Sequence, residues 1–181
     1  MNKKAFTLLE LLVVILIIGI LAAIALPKYQ LARDKAEFAK YQAMVSSLRN
    51  AYNEYFLTHG QGTSKFDDLF LTMPSDFTQV YKDSYLRCVQ NSNMFCCMSK
   101  STDYRYGSIN CGKNDLSVIY SITLLDLNNT PVEGRGLCLS EVDNTRANRL
   151  CNAIGTKGNK GNTWTPEGPS PVNSYQVYYL N

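Results

Sequence analysis

The longest uninterrupted pattern in the chain is the apolar run at residues 6–26, FTLLELLVVILIIGILAAIAL, in which only Thr7 and Glu10 are polar. As an α-helix this run would be about 30 Å long, which is enough to cross the hydrocarbon core of a bilayer. Lys3 and Lys4 precede the run, so the positive-inside rule places the N-terminus in the cytoplasm and the remaining chain across the membrane. The pattern predicts one membrane-spanning helix.

A second pattern follows Pro27, where apolar side chains recur at alternating spacings of three and four residues. This spacing places them on one face of an amphipathic helix. A proline at a membrane boundary can kink a helix without ending it, so we expect the helix to continue to about Leu57, before the helix-breaking residues His59 and Gly60. A partner coiled coil or a sheet would cover the apolar face, and we favour the sheet. The face consists of Phe38, Tyr41, Val45, Leu48, Tyr52 and Tyr55.

Beyond residue 84 the pattern changes to short runs rich in β-branched and aromatic residues, which predicts strands. Residues 64–82 are interpreted as a connection, and a small helix is predicted to start at Ser140 and to stop at Gly155. The expected fold class is α+β, with a long N-terminal helix packed against an antiparallel sheet of about four strands. The predicted strands are residues 85–90, 94–99, 104–109, 116–127, 137–139 and 175–180.

Charge and motif content argue against several function classes. The chain carries 18 Lys and Arg against 15 Asp and Glu, and this formal net charge of +3 does not predict a nucleic-acid-binding surface. The single histidine, His59, is predicted in a solvated loop without a nucleophile motif near it, so we do not expect an enzyme. No cofactor is predicted, because neither GRG nor GTKGNKGN has the spacing of a phosphate-binding loop.

The cysteines all follow the predicted membrane helix. Their even number and their position outside the cytoplasm predict disulfides, but the sequence permits many pairings. Neighbouring Cys96 and Cys97 would point to opposite faces of a strand and therefore find different partners. No metal site is predicted, because the sequence contains no Cys-x-x-Cys pair. The disulfide candidates are Cys88, Cys96, Cys97, Cys111, Cys138 and Cys151.

Glu10 is the residue that a plain membrane anchor does not explain, since an ionised carboxylate in lipid costs on the order of a few kcal/mol. The segment KKAFTLLELLVVILIIGILAAIALPKYQ around it resembles the class III signal and N-terminal helix of type IV pilins and pseudopilins. The resemblance implies cleavage between Ala5 and Phe6, N-methylation of Phe6, and an assembly salt bridge made by Glu10. It also implies that Gly19 loosens the helix and that Pro27 kinks it. The family usually has glycine where this chain has Ala5.

The resemblance also implies a domain organisation and one disulfide. Pilins often close a loop near the C-terminus with a disulfide, and Cys138 with Cys151 would do so here while pinning the small helix to the sheet. We therefore favour this pair. The implied segments are a leader that is removed (1–5), a transmembrane and assembly helix (6–27), its amphipathic continuation (28–57), and a globular head with a disulfide-rich C-terminal region (58–181).

The function implied by the resemblance is that of a type IV pilus subunit, held in the inner membrane before assembly and exposed on the cell surface afterwards. The implied partners are copies of the same chain in a helical fibre, minor pilins, the prepilin peptidase and an inner-membrane assembly platform. A pseudopilin of a type II secretion system, ending in a periplasmic pseudopilus, is the first alternative. The others are a membrane-tethered extracytoplasmic domain and an ordinary secretory signal cleaved after Ala25.

Overall fold

The structure is a computed structural model, and it describes residues 7–82, 86–100, 107–115, 117–124, 136–158, 163–164 and 175–180. The chain divides into two compact units, Met1–Glu37 and Phe38–Asn181. The first unit contains the N-terminal part of the long helix. The second contains the remainder of that helix together with the sheet.

Helix α1 comprises Leu8–His59 and contains Pro27 in its interior. The prediction that the helix continues beyond Pro27 is confirmed. The helix ends because Gly60 adopts the left-handed conformation, with φ of 68°. From there the Gly60 amide donates to the carbonyl oxygen of Phe56 at 2.9 Å, which satisfies one of the free carbonyl groups at the helix end.

The described strands form one antiparallel sheet, which is larger than the sequence pattern predicted. The spatial order is β1-β2-β3-β4-β5-β6-β9-β7, and β8 also pairs with β9. The strands are β1 (Thr78–Lys82), β2 (Leu86–Gln90), β3 (Met94–Lys100), β4 (Gly107–Lys113), β5 (Val118–Leu124), β6 (Gly136–Glu141), β7 (Gly155–Lys157), β8 (Thr163–Trp164) and β9 (Tyr175–Leu180).

The small helix begins later than predicted. Helix α2 comprises Thr145–Ile154, and its N-cap is Asn144, whose side chain accepts a hydrogen bond from the amide of Ala147 at 3.0 Å. Ser140 is a residue of strand β6, where it pairs with Gln176 of β9. The predicted start at Ser140 is therefore wrong. The sequence pattern was ambiguous, because a serine followed by an acidic residue also fits the end of a strand.

The apolar face of α1 packs within the second unit, as the spacing predicted. Val45 is fully buried, and Phe38 and Leu48 are nearly so. The ring of Phe38 meets Tyr120 of β5 edge-on. Tyr55, which was predicted on the same face, is half-buried. The predicted stripe from Phe38 to Tyr52 is therefore buried within the second unit.

A second apolar cluster includes alternate residues of five strands. Because successive side chains of a strand point to opposite faces, the register places these residues together on the sheet face opposite Tyr120. Both faces of the sheet are therefore buried in this region. The cluster consists of Leu86, Cys88, Phe95, Cys97, Ile119, Leu139, Tyr175 and Val177.

The six cysteines form three disulfides: Cys88–Cys97, Cys96–Cys111 and Cys138–Cys151. The first two join residues that lie directly opposite each other in neighbouring strands. Cys96 and Cys97 point to opposite faces of β3, so one disulfide lies on each face of the sheet. The third joins β6 to α2.

Candidate assembly site

The first part of α1 exposes apolar side chains without interruption. Every large apolar side chain from Leu8 to Leu26 is at least 42% exposed. By length and composition, α1 is the one helix in the described part of the chain that is suited to cross a membrane. Monomeric soluble proteins rarely expose a contiguous apolar surface of this size, so this segment requires lipid or a partner as its cover.

Glu10 lies inside this segment, and its carboxylate bonds to Thr7. The backbone amide of Thr7 donates to Oε2 of Glu10 at 2.9 Å, and the Thr7 hydroxyl donates to the same oxygen at 2.8 Å. In return, the amide of Glu10 donates to the Thr7 hydroxyl oxygen at 3.2 Å. Thr7 and Glu10 thus form a reciprocal capping box at the start of the helix.

The capping box gives Glu10 donors from its own chain. The first amides of a helix have no intrahelical acceptor, and unpaired polar groups are costly in hydrocarbon. The Glu10 carboxylate accepts a hydrogen bond from the Thr7 amide, so this amide is not left unpaired in hydrocarbon. The arrangement therefore holds a carboxylate at the beginning of an apolar helix without a cation from a second molecule.

The roles of the other predicted site residues of this helix stay predictions. Ala5 and Phe6 lie outside the described residues, so the contact of the Phe6 amine with Glu10 stays a prediction. Gly19 is helical, and a Cβ atom at its position would have no neighbour within 4 Å beyond the adjacent backbone of its own helix. Pro27 lies within the continuous helix. The loosening role of Gly19 and the kink at Pro27 stay predictions.

His59 is the last residue of α1, and its ring contacts neighbouring residues of the same helix. Its ring stacks on Tyr55, with ring centroids 4.1 Å apart. Its Nδ1 atom lies 2.8 Å from the Thr58 hydroxyl and 3.0 Å from the carbonyl oxygen of Tyr55. Among the described residues, no group of three or more His, Cys, Asp or Glu side chains is arranged to hold a metal ion.

Thr7 is the functional residue that our sequence reasoning missed. The signal was present, because threonine followed three residues later by glutamate and then by an apolar run is the pattern of a capping box. We interpreted Thr7 as one polar residue in a membrane segment. The geometry shows that it is the partner of the carboxylate that the membrane segment left unexplained.

The N-terminal segment also matches a known family. A profile described as the prokaryotic N-terminal methylation motif matches residues 1–26. The N-terminal segment of this chain is therefore similar to that of proteins with this methylation motif. The matched segment contains Thr7, Glu10 and most of the exposed apolar surface of α1.

A fimbrial protein and two type IV pilus proteins are similar to part of this chain. A fimbrial protein of Neisseria meningitidis serogroup A is 35% identical over 91 residues, which are 50% of this chain and 51% of the relative. Type IV major pilin protein PilE1 of Neisseria gonorrhoeae is 44% identical over 59 residues, covering 33% of this chain and 36% of the relative. The type IV narrow pilus major component PilA5 of Thermus thermophilus is 48% identical over 52 residues, covering 29% of this chain and 45% of the relative.

The similarity is confined to part of each pilin. The chain matches about half or less of the length of these relatives. No solved structure matches the chain.

Proposed function

We propose that this chain is a structural subunit of a type IV pilus, cleaved between Ala5 and Phe6 and polymerised through its apolar N-terminal helix. The observation that carries the proposal is the uninterrupted exposed apolar surface of Leu8–Leu26 with a single carboxylate, Glu10, near its beginning. A simple anchor needs the apolar surface, and an uncharged glutamine at residue 10 would complete the capping box without placing a charge in the membrane. A subunit that must find one register among identical helices has a use for both the apolar surface and the charge.

Polar pairing would set the register of assembly. Helices that are already surrounded by lipid gain little hydrophobic free energy when they meet, so packing and directed polar contacts decide how they associate. Cleavage before Phe6 would create an α-amino cation in apolar surroundings, and Glu10 supplies the matching anion. Thr7 would satisfy Glu10 until the amine of a neighbouring subunit arrives.

The proposed location follows from the same segment. Before assembly the subunit would span the inner membrane once, with its N-terminus in the cytoplasm, where a prepilin peptidase cleaves and methylates it. An inner-membrane assembly platform would then deliver it to a fibre made of further copies and minor pilins. The fibre would display the head at the cell surface. The role proposed here is structural and not enzymatic.

Processing is tested by the intact mass of the protein from the membrane fraction. We expect the loss of residues 1–5 and the gain of one methyl group on Phe6. A new N-terminus at Leu26 would instead identify an ordinary secretory signal and contradict the pilin function. An uncleaved chain would indicate a membrane anchor.

Assembly is tested with Glu10→Gln beside Glu10→Ala. Glutamine keeps the amide oxygen that can accept from Thr7 but removes the charge, whereas alanine removes both. We expect both variants to reach the membrane and both to be poorly incorporated into sheared surface fibres counted by electron microscopy. Glu54→Gln, at an exposed position of α1 in the second unit, is the matched control.

Two outcomes of this experiment would contradict the proposal. Wild-type incorporation of Glu10→Gln would show that the charge has no role in assembly. The absence of surface fibres containing the correctly processed wild-type chain would favour a pseudopilin of a secretion system.

A further inference from the structure

Helix α2 is joined to strand β6 by two neighbouring links. The disulfide Cys138–Cys151 is one, and a hydrogen bond from the Ser140 hydroxyl to Oδ1 of Asn148, at 2.7 Å, is the other. Cys138 and Ser140 are two residues apart on a strand and so share a face, while Asn148 and Cys151 are three residues apart on a helix and are neighbours on its surface. The covalent link and the polar link therefore lie side by side.

Asn148 is the centre of a larger hydrogen-bond network. Its Oδ1 atom also accepts from the Tyr178 hydroxyl at 3.0 Å, and Tyr178 lies directly opposite Cys138 in the register of β6 and β9. Its Nδ2 group lies within hydrogen-bond distance of three carbonyl oxygens in the turn that enters α2. One side chain thus connects α2, β6, β9 and the turn. The carbonyl oxygens are those of Glu141 at 3.2 Å, Val142 at 2.9 Å and Asn144 at 3.0 Å.

The other two disulfides have a different source of alignment. Cys88–Cys97 and Cys96–Cys111 join residues that are already opposite each other in a strand ladder, so backbone pairing brings their sulfur atoms together. A helix and a strand share no such ladder. Strand ladders hold both ends of α2, through β6 before it and β7 after it, but the rotation of the helix that turns Cys151 toward Cys138 is set by side chains.

Apolar burial alone does not supply this alignment. Ala147 and Leu150 are the buried apolar residues of α2 beside Cys151, and their burial favours docking of the helix. The hydrophobic effect is non-directional, however, and tolerates a shift or rotation of the helix. The bonds of Asn148 are directional and define one placement of α2 on β6.

We propose that Asn148 is the positioning residue for the third disulfide. In the reduced chain it holds α2 on β6 and brings the Cys151 thiol to Cys138. This pair then forms in preference to pairs with any of the four cysteines of β2, β3 and β4. The role concerns oxidation of the head and does not depend on pilus assembly.

The oxidation that Asn148 assists is thiol–disulfide exchange with a disulfide donor such as oxidised glutathione. The thiolate of one cysteine attacks the donor, forms a mixed disulfide and releases one glutathione thiolate. The second cysteine, deprotonated, then attacks the mixed disulfide and releases the other. The two cysteines lose two protons and two electrons, and the donor is reduced to two thiols. Asn148 exchanges no electrons or protons with the cysteines and acts on the second step by holding them together.

The test measures each disulfide of the full-length chain in detergent micelles at equilibrium with a glutathione redox buffer. Free thiols are alkylated, and the three disulfides are quantified by peptide mass spectrometry. For Asn148→Ala we expect the equilibrium constant for Cys138–Cys151 to fall by about tenfold or more. The constants for Cys88–Cys97 and Cys96–Cys111 should change by less than about twofold, because these pairs are aligned by their own strand ladders and share no hydrogen bond with Asn148.

Two further variants keep the test decisive. Asn152→Ala replaces an exposed asparagine of the same helix and should leave all three disulfides as in the wild type. Tyr178→Phe removes one donor to Asn148 and should lower the equilibrium constant for Cys138–Cys151 selectively, but by less than Asn148→Ala. This variant replaces Asn148→Ala in the test if Asn148→Ala does not fold. The proposal is overturned if Asn148→Ala behaves like Asn152→Ala, if all three disulfides weaken equally, or if Tyr178→Phe has no effect on the third disulfide.

Discussion

Phe38 of α1 and Tyr120 of β5 meet edge to face, with ring centroids 5.6 Å apart and an interplanar angle of 83°. Phe38 also meets Tyr41 at 6.2 Å in a similar arrangement. Pairs of this geometry contribute about 0.5–1.5 kcal/mol beyond the burial of their area. The Phe38–Tyr120 pair marks the place where the helix in the second unit is attached to the sheet.

Replacing Phe38 by alanine should destabilise the head by about 3–5 kcal/mol, because it leaves a cavity and removes the aromatic pair. Thermal unfolding of the full chain in a mild detergent, followed by near-ultraviolet circular dichroism, measures the change. Phe70→Ala is the matched control, since Phe70 is 66% exposed whereas Phe38 is 2% exposed. Equal losses in the two variants would show that the aromatic pair does not secure the helix.

Gly62→Ala should also destabilise the head, by about 1–3 kcal/mol. A Cβ atom at residue 62 would collide with the hydroxyl oxygen of Tyr52, and the buried Tyr52 ring has little room to move. Tyr52→Phe removes the colliding atom, so the double variant should recover part of the loss in a thermal-denaturation cycle. A strictly additive double variant would contradict this explanation.

The head should lose stability in alkaline solution. Burial raises the pKa of the Tyr52 hydroxyl above its ordinary value of 10.0, and it also raises the pKa of the Tyr120 hydroxyl against an opposing effect of Arg49. The folded state therefore keeps these protons when the unfolded state releases them. Their contribution to stability is present below about pH 10 and is lost as pH rises through the raised pKa values.

Melting temperatures measured from pH 8 to pH 11, together with phenolate absorbance, would show this alkaline loss. Tyr52→Phe should lose less stability than the wild type over the alkaline part of this range, because phenylalanine cannot ionise. Tyr29→Phe, at a position that is 69% exposed, is the control and should follow the wild-type curve. Identical alkaline losses in Tyr52→Phe and the wild type would exclude a contribution from Tyr52.

Thr7→Val should loosen the beginning of α1 while leaving the remainder of the helix intact. Valine has nearly the shape of threonine but cannot bond to Glu10, and loss of an N-cap costs about 0.5–2 kcal/mol. Amide hydrogen exchange in micelles should therefore accelerate at Glu10. Thr58→Val removes a hydroxyl that donates to Glu54 and Tyr55 at the other end of the helix, so it should leave exchange at Glu10 unchanged. Unchanged exchange in Thr7→Val would contradict the capping role.

Strong periodic signals predicted the larger elements correctly. The terminal strand Tyr175–Leu180 has the predicted bounds, since YQVYYL is rich in residues that favour strands. Strand β7 was missed, because its three residues become a strand by pairing with the distant β9. Strand β1 was missed because we interpreted residues 78–82 as part of the connection after the long helix.

The site could be predicted in part. Glu10 was recognised because an ionised carboxylate within an apolar run is costly in lipid, and the sequence alone shows such a residue. The network of Asn148 was not recognised, because its partners Ser140 and Tyr178 belong to two strands and meet it through the fold. No local pattern contains such information.

The two disulfides of the sheet also set how far this part of the chain can be stretched. A force applied between Cys88 and Cys111 passes from Cys88 to Cys97, through one peptide unit to Cys96, and across to Cys111, with Cα–Cα distances of 4.1 Å at each disulfide. This path is about 12 Å long, whereas residues 88–111 fully extended would span roughly 80 Å. The strands between these cysteines can lose their hydrogen bonds under load, yet the molecule gains almost no length from them.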